Sequence, residues 1–264
     1  MNTRSTHAPI IQMQDIEKHF GSVIALAGVS VDVYPGECHC LLGDNGAGKS
    51  TFIKTMSGVH KPTKGKILFE GKEMSFDDPR DAIDAGIATV YQDLAMIPLM
   101  SVSRNFFMGN EPTKNVFGMA LFDKDHADSV TMTEMRKMGI NLRGPDQAVG
   151  TLSGGERQTV AIARAVHFGA KVLILDEPTS ALGVRQTSNV LATIDKVRKQ
   201  DIAVVFITHN VRHAMAVGDR FTVLNRGKTL GTAQRGQITP DELQDMMAGG
   251  QEMATLSESL GGTV

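Results

Sequence analysis

Short apolar segments alternate with polar, turn-forming segments along most of this chain. Residues 9–20 and 28–33 alternate apolar with polar side chains and are bounded by Gly and Pro, which predicts antiparallel strands. Other runs are almost continuously apolar and helical stretches separate them, so we expect strands of a parallel sheet that are buried on both faces. These runs are 38–42, 87–91, 171–175 and 202–208.

Two hairpins and one short helix complete the predicted elements. Residues 65–70 form half of the first hairpin, whose turn begins with Gly. Residues 220–225 and 228–233 form the second hairpin, and an amphipathic helix follows at about 239–247. The chain is therefore predicted to have an α/β fold that combines a parallel sheet with an antiparallel part.

The strand signals vanish between about 93 and 160, where seven of the fifteen methionines of the chain lie. Methionine adapts to surfaces that repack against a partner, and it also fills the cores between helices, so both interpretations stay open. The tail at 249–264 contains several Gly and Ser residues and is predicted to be flexible. We find no internal repeat, which indicates one copy of one unit.

Length, composition and charge restrict the class of protein. With 264 residues, of which 41% are apolar, the chain can bury a large core. The formal net charge of −2 argues against a protein that binds nucleic acid through its phosphates. No apolar run approaches the roughly 18 to 20 residues of a membrane span, and residues 1–10 lack the apolar core of a secretory signal. We therefore expect a soluble, cytosolic chain that reaches a membrane only through a partner.

Both cysteines, Cys38 and Cys40, lie two positions apart in one predicted strand. They should point to the same face, with His39 on the opposite face. A disulfide between such near neighbours has poor geometry, and a metal site would need more ligands. The two thiols are therefore predicted to pack in the core.

A glycine-rich segment follows the strand 38–42 and precedes a predicted helix. It reads Gly43-Asp44-Asn45-Gly46-Ala47-Gly48-Lys49-Ser50 and matches GxxxxGK[ST]. Glycines let successive backbone N–H groups turn toward one phosphate, and the helix adds the positive end of its dipole. Lys49 would bind the β- and γ-phosphates, and Ser50 would bind Mg²⁺. The alternative is a Gly-rich turn of accidental composition, which the strand–turn–helix context disfavours.

Two acidic residues, Asp176 and Glu177, follow the apolar run 171–175. Ligands bind at this end of the strands in open α/β sheets. Consecutive side chains cannot point the same way, so Asp176 is predicted to hold Mg²⁺ and Glu177 to act as the general base on the attacking water. An acidic strand end alone is weak evidence, but its combination with the phosphate cradle is specific.

Residues 151–158 read Thr-Leu-Ser-Gly-Gly-Glu-Arg-Gln, and Ser153 with Glu156 forms the capping box of a helix. One interpretation ends there, with a capped helix. However, Leu152-Ser153-Gly154-Gly155-Glu156 also resembles the LSGGQ signature of the ATP-binding subunits of ABC transporters. The other motifs of this family appear in its order over roughly 9–247. They are the cradle at 43–51, Gln92, the signature at 152–156, the acids at 176–177 and His209.

The resemblance implies a P-loop NTPase with a RecA-like core, an antiparallel β subdomain and an inserted helical subdomain. Residues 1–248 would form a single ATP-binding domain. Its nucleotide core would comprise about 9–92 and 165–247, and its helical subdomain about 93–160. ATP would lie between two copies of the chain, with the cradle of one copy facing the signature of the other.

Roles for individual residues also follow from the resemblance. Phe20 would stack on adenine; the less favoured alternative is a core aromatic. Gln92 would contact Mg²⁺ or water and link the site to a transmembrane partner, or it is a solvated polar residue. His209 would contact the γ-phosphate, although lone histidines are usually structural. The residues that would bind the nucleotide also include Thr51, Ser153, Gly154 and Gly155.

One position departs from the family pattern. The family usually continues the acidic strand end with Ser-Ala-Leu-Asp, and this chain has Ser180-Ala181-Leu182-Gly183. That Asp normally helps to couple the two sites of the dimer. Gly183 therefore puts communication between the sites in doubt, while the proposed metal ligand and base remain.

Within the family, residues 82–92, 96–112 and 177–186 resemble bacterial monosaccharide importers for ribose, xylose or fructose, most nearly those for fructose. The resemblance implies an ATPase that is peripheral to the cytoplasmic face of the inner membrane. Its partners would be a second copy, a permease and, indirectly, a periplasmic sugar-binding protein. The rivals are an ABC-type ATPase acting on nucleic acid or ribosomes, and a small-molecule kinase. The former usually has coiled-coil insertions or basic extensions, and the latter has no use for the signature.

Overall fold

The computed structural model describes residues 8–248 and shows a mixed α/β fold. Its strands are β1 (Ile11–Phe20), β2 (Val23–Val33), β3 (Cys38–Leu42), β4 (Lys64–Phe69), β5 (Lys72–Met74), β6 (Ile87–Val90), β7 (Thr113–Val116), β8 (Met119–Phe122), β9 (Val172–Asp176), β10 (Ala203–Ile207), β11 (Arg220–Asn225) and β12 (Lys228–Gln234). Its α-helices are α1 (Lys49–Met56), α2 (Pro79–Ala85), α3 (Val102–Phe107), α4 (Lys124–Met138), α5 (Gly154–His167), α6 (Val184–Arg198), α7 (Val211–Val217) and α8 (Pro240–Met247). None of these helices has both the length and the apolar character that a membrane span requires.

The antiparallel part is a four-stranded sheet with the order β2-β1-β4-β5. The antiparallel strands predicted within 9–20 and 28–33 are therefore confirmed. β2 begins earlier than predicted, at Val23, because it pairs with β1 directly after a tight turn. Val23 and Ile24 are 62% and 58% exposed, so the first residues of β2 lack the buried alternation on which the prediction relied.

The larger sheet has the order β12-β11-β3-β10-β9-β6, and all its neighbours are parallel except β11 and β12. The parallel sheet predicted from the continuous apolar runs is confirmed. Every residue of β3 and β10 is buried, which explains why these strands lack alternation. In a parallel sheet the carboxyl ends of neighbouring strands meet at one edge. The segments that leave β3, β6, β9 and β10 therefore converge there.

Two apolar cores cover the faces of this sheet. Cys38 and Cys40 contribute to the core that contains α4 to α8, and Leu41 contributes to the core shared with α1 and the antiparallel sheet. Both thiols are free and buried, as predicted. His39 lies on the opposite face, where its Nε2 and the Thr222 Oγ1 are 2.8 Å apart. Within residues 8–248 no group of His, Cys, Asp and Glu forms a metal cluster.

A hairpin lies where the sequence showed no strand signal. β7 and β8 pair between α3 and α4, so the expectation that strands are absent from 93–160 is wrong at Thr113–Phe122. Phe117 in its turn is 99% exposed, and both strands are mostly exposed, so no buried face produces alternation. The methionines of this region differ in burial: Met135 and Met138 are buried, whereas Met119 is exposed. The predicted flexible tail at 249–264 lies outside the described residues.

A buried ion pair ties α6 to the start of the parallel sheet. Asp219 is 4% exposed, and its Oδ2 accepts hydrogen bonds from Arg198 Nη1 at 3.0 Å and from the Cys38 backbone nitrogen at 3.0 Å. Arg198 also pairs with the half-buried Asp195. The pair therefore joins the end of α6 to the first residue of β3, the strand that leads to the glycine-rich segment.

We expect Asp219→Ala to lower the free energy of unfolding by about 3–5 kcal/mol, because it leaves the Arg198 guanidinium without its buried partner. Asp195→Ala removes the more exposed partner of the same arginine and should cost about 0–1 kcal/mol. Urea unfolding followed by circular dichroism measures both. Equal losses in the two variants would show that burial of Asp219 does not strengthen the pair.

Candidate functional site

The glycine-rich segment forms a tight loop between β3 and α1. Gly43, Gly46 and Gly48 have φ values of 146°, 83° and 101°, which lie in the region that favours glycine. A Cβ atom on Gly43 would lie 2.4 Å from the Leu224 oxygen, so no larger residue fits there. The backbone of Ala47 accepts a hydrogen bond from the Gly227 nitrogen at 2.9 Å, which fastens the loop to the β11–β12 turn. The loop thus has the context that the phosphate-cradle motif requires.

Lys49 begins α1 and folds back over the loop. Its Nζ donates hydrogen bonds to the carbonyl oxygens of Gly43, at 2.5 Å, and Asp44, at 3.0 Å. Burial lowers the pKa of Lys49, and the negative charges of Glu177, Asp44 and Asp176 oppose this shift. These charges show that the cradle and the acidic strand end lie together. Ser50 is exposed at the N-terminus of α1, and Thr51 beside it is half-buried.

Asp176 is the last residue of β9, as the sequence predicted within one residue. It is half-buried, and burial together with the charge of Glu177 raises its pKa, while Lys49 and Lys54 oppose the shift. A cation beside this carboxylate would stabilise its ionised form. Asp176 therefore lies where a metal ion bound with a phosphate would neutralise it.

Glu177 and His209 form a hydrogen-bonded pair. Glu177 Oε1 lies 3.0 Å from His209 Nδ1, although Glu177 follows β9 and His209 follows β10. The Glu177 backbone has a φ of 48°, and its nitrogen donates to the Ile207 oxygen at 3.1 Å. A left-handed backbone conformation is strained in a non-glycine residue. It persists only where contacts with the surrounding structure hold the backbone in place. The strain turns the Glu177 side chain away from the direction that β9 would give it.

Gln92 follows β6 and is exposed. Its Nε2 donates a hydrogen bond to Ser180 Oγ at 3.1 Å, which connects it to the loop after Glu177. Gln92, Glu177 and Ser180 line a cavity of about 630 Å³, which Gly154 and Gln186 also line. The structure thus places Gln92 in the same cleft as the acidic loop.

Phe20 ends β1 and is 45% exposed, so it is not a core aromatic. Its ring contacts His60 edge-on, with centroids 5.2 Å apart, and Lys18 Nζ lies 5.2 Å from its centroid. An exposed, laterally supported aromatic ring offers a face on which a base can stack.

The capping box of α5 is present as predicted. Ser153 Oγ accepts from the Glu156 nitrogen at 3.3 Å, and Glu156 Oε2 accepts from the Ser153 nitrogen at 2.7 Å. The glycines allow a close approach of α6, because a Cβ atom on Gly155 would lie 3.1 Å from the backbone oxygen of Gln186. Glu in the last signature position therefore completes the cap of the helix.

Two residues near the site were not singled out from the sequence. Thr179 Oγ1 lies 3.0 Å from His213 Nδ1, and Thr179 is 5% exposed. Burial and the charge of His209 lower the pKa of His213, and Glu177 opposes this shift. The contact joins residues 34 positions apart, so no local pattern in the sequence indicates it.

Comparison with known proteins identifies the family. The family model described as ABC transporter matches residues 26–180. The xylose/arabinose import ATP-binding protein of Sulfolobus acidocaldarius is 42% identical over 90% of this chain and 93% of that protein. The fructose import ATP-binding protein of Rhizobium meliloti is 40% identical over 92% of this chain and 95% of that protein. The chain spans about half of the ribose import ATP-binding protein of Streptomyces avermitilis, 47% of its length at 39% identity.

Solved structures agree with the fold. An ATP-binding cassette of an ABC transporter in its ADP conformation superposes with a TM-score of 0.79, at 22% identity over 93% of this chain and 97% of that one. A dimeric post-hydrolysis cassette with ADP and Pi has a TM-score of 0.71, at 22% identity over 86% of this chain and 100% of that one. By its sequence relatives and its matching family model, the chain belongs to the ABC transporter family.

Proposed function

We propose that this chain is the ATP-hydrolysing subunit of a monosaccharide importer. The observation that carries the proposal is the convergence at one edge of the parallel sheet. The cradle after β3, the acids after β9 and His209 after β10 meet there, with Lys49 close to Asp176 and Glu177. This arrangement suits phosphoryl transfer to water, in which the protein positions the reactants and stabilises the charge of the transition state.

The residues present suit Mg²⁺ that arrives with the nucleotide. Asp176 supplies one carboxylate whose pKa is raised by burial and by Glu177, and Ser50 and Gln92 supply neutral oxygens. Mg²⁺ prefers one or two carboxylates together with phosphates and waters, so the absence of a larger acidic cluster from residues 8–248 fits this use. The ion would neutralise charge on the transferred phosphoryl group.

Each side chain then has a task in hydrolysis. Lys49 and the loop nitrogens would bind the β- and γ-phosphates. Glu177 would accept the proton of the attacking water, and His209 would hold the Glu177 carboxylate through their 3.0 Å contact and contact the γ-phosphate. Phe20 would stack on adenine with its exposed face.

We further propose that two copies assemble around the nucleotide. Ser153, Gly154 and Gly155 begin α5, whose N-terminal N–H groups and dipole would stabilise the γ-phosphate bound by the other copy. The post-hydrolysis cassette with ADP and Pi, which shares the fold of this chain, is dimeric. Closure on ATP and opening after hydrolysis would drive alternating access in a membrane partner.

The permease would dock beside Gln92. A groove of about 310 Å³ is lined by Tyr91, Leu94, Ala95 and Met96 from the segment that follows β6, and also by Phe168. Phe168 is 41% exposed, and apolar grooves of this kind accept a helix of a partner. The division into a nucleotide core at about 9–92 and 165–247 and a helical subdomain at about 93–160 would place this groove at their junction.

The names of the relatives indicate the cargo. They are import proteins for xylose and arabinose, for fructose and for ribose, so the cargo of this system would be a monosaccharide. A periplasmic binding protein would deliver the sugar, and this chain would work peripherally at the cytoplasmic face of the membrane.

Reconstitution tests this proposal. The chain is combined with its permease in liposomes, and the ATPase rate is measured with and without the sugar-loaded binding protein. We expect stimulation by the complete system. Stimulation by nucleic acid or ribosomes would instead favour the rival ATPase, and phosphate transfer to a small acceptor would favour a kinase.

Gly183 offers a second test, because it begins α6 as its N-cap without a side-chain cap bond. Its φ is −69°, and a Cβ atom there meets no other atom within 4 Å, so Asp fits without strain. We expect Gly183→Asp to change the Hill coefficient of ATP hydrolysis more than the ATP affinity, since it restores the residue that couples the sites. Gly183→Asn caps the helix without charge and is the control. An altered affinity with an unchanged Hill coefficient would contradict the prediction.

A further inference from the structure

The hydrogen bond between Gln92 and Ser180 joins segments that leave different strands of the parallel sheet. Gln92 follows β6, and Ser180 lies in the loop after β9. The Gln92 Nε2 atom donates and Ser180 Oγ accepts, at 3.1 Å. Because the amide uses its nitrogen in this bond, its oxygen is left for another partner. That oxygen is the only atom of the side chain that can bind magnesium.

Ser180 is itself held by the shape of its loop. Its backbone nitrogen donates to the Glu177 oxygen at 3.0 Å, and two residues of the same loop, Glu177 and Ala181, have φ values of 48° and 57°. The preceding residue, Thr179, is buried and contacts His213. The backbone that carries the Ser180 hydroxyl is therefore held in place, whereas Gln92 is an exposed side chain with three rotatable bonds.

A magnesium ion and the Ser180 hydroxyl would orient the Gln92 amide in the same way. A bound magnesium ion attracts the oxygen of the Gln92 amide, and the nitrogen must then point away from the ion toward an acceptor. Ser180 supplies that acceptor at the side of the cavity that both residues line. Without the hydroxyl, the exposed side chain would have to be ordered by the ion alone, at a cost in conformational entropy.

We propose that Ser180 is a positioning residue for ATP hydrolysis, whose hydroxyl anchors the Gln92 amide so that the amide oxygen faces the magnesium bound with the nucleotide. This inference rests on the proposed function, in which Gln92 is a magnesium ligand. It assigns to the loop after Glu177 the additional task of ordering the segment that follows β6.

The test measures binding without turnover, in a Glu177→Gln background that suppresses hydrolysis. Calorimetry gives the Mg²⁺ concentration for half-maximal enhancement of ATP binding, and the ATP affinity in EDTA. Ser180→Ala should raise the Mg²⁺ half-saturation about three- to tenfold, the effect of one lost hydrogen bond, with the affinity in EDTA unchanged. Ser180→Thr keeps the hydroxyl and should restore it. Ser188→Ala, at an exposed serine in α6, is the control and should have no effect.

A double-mutant cycle with Gln92→Ala assigns the effect to this bond. Ser180→Ala should have no further effect on Mg²⁺ half-saturation once Gln92 is truncated. An equal effect in both backgrounds, or a lower half-saturation in Ser180→Ala, overturns the proposal. If Gln92→Ala raises the half-saturation and Ser180→Ala does not, the positioning role fails while the proposed function stands. If neither variant changes it, Gln92 is not a ligand and both assignments fail.

Discussion

Glu177→Gln should lower the rate of ATP hydrolysis by about 10²- to 10⁴-fold, the usual contribution of a general base, while MgATP still binds. The substitution keeps the shape of the side chain and a neutral oxygen within reach of His209 Nδ1, which lies 3.0 Å from Glu177 Oε1. What is lost is the ability to take a proton from water. The cradle, including Lys49 and its hydrogen bonds to Gly43 and Asp44, does not depend on that step.

The charge change should preserve or strengthen binding of the metal and the nucleotide. Glu177 contributes to the raised pKa of Asp176, so its neutralisation lowers that pKa and keeps Asp176 ionised to lower pH. The variant should therefore accumulate as a nucleotide-bound dimer, visible by size-exclusion chromatography with MgATP. Glu73→Gln, at an exposed residue paired with Lys66 in the antiparallel sheet, is the matched control. Hydrolysis at the wild-type rate in Glu177→Gln would show that another group is the base.

Two inactive variants should restore hydrolysis when mixed, if each site combines the cradle of one chain with the signature of the other. Lys49→Ala removes the charge that meets the phosphates and should weaken ATP binding by about ten- to a hundredfold. Ser153→Asp keeps a good N-cap for α5 and places a negative charge toward the γ-phosphate. Either variant alone inactivates both sites of its own dimer.

In a mixed dimer both lesions fall in one composite site, and the other site is intact. A one-to-one mixture should therefore regain about a quarter of the wild-type rate, if chains pair at random and sites act independently. ATPase assays of each variant and of the mixture measure this. Ser153→Asn, which caps α5 without a charge, should retain activity and separates repulsion from a lost cap. If the mixture is no more active than its components, each chain completes its own site and the composite arrangement is wrong.

The parts of the fold that the sequence predicted best are the strands whose burial is extreme. β3 and β10 are buried throughout, and β9 is buried except at Asp176. Their continuous apolar runs therefore indicated strands of a buried parallel sheet. The β7–β8 hairpin was missed because its strands are mostly exposed and Phe117 lies in the turn fully in solvent. An apolar pattern reports burial, and a hairpin without a buried face leaves no pattern.

The contacts of the candidate site also differ in how far the sequence predicted them. The cradle bond of Lys49 to Gly43 spans six positions and the capping box spans three, and the sequence predicted both features. The contact of Gln92 with Ser180 spans 88 positions, and those of Glu177 with His209 and of Thr179 with His213 span 32 and 34. Such contacts depend on which strands are neighbours, which no local pattern specifies.

The sequence by itself determined the local chemistry: a glycine-rich loop with the phosphate-binding motif, an acidic strand end and a capped helix, because glycine placement, side-chain charge and capping act over a few residues. Tertiary structure decided which of these groups act together. The order β3-β10-β9-β6 brings the four segments to one edge, and the strained backbone of Glu177 turns its carboxylate toward His209. Strand order follows from burying both faces of the sheet in two cores, which is a property of the whole chain.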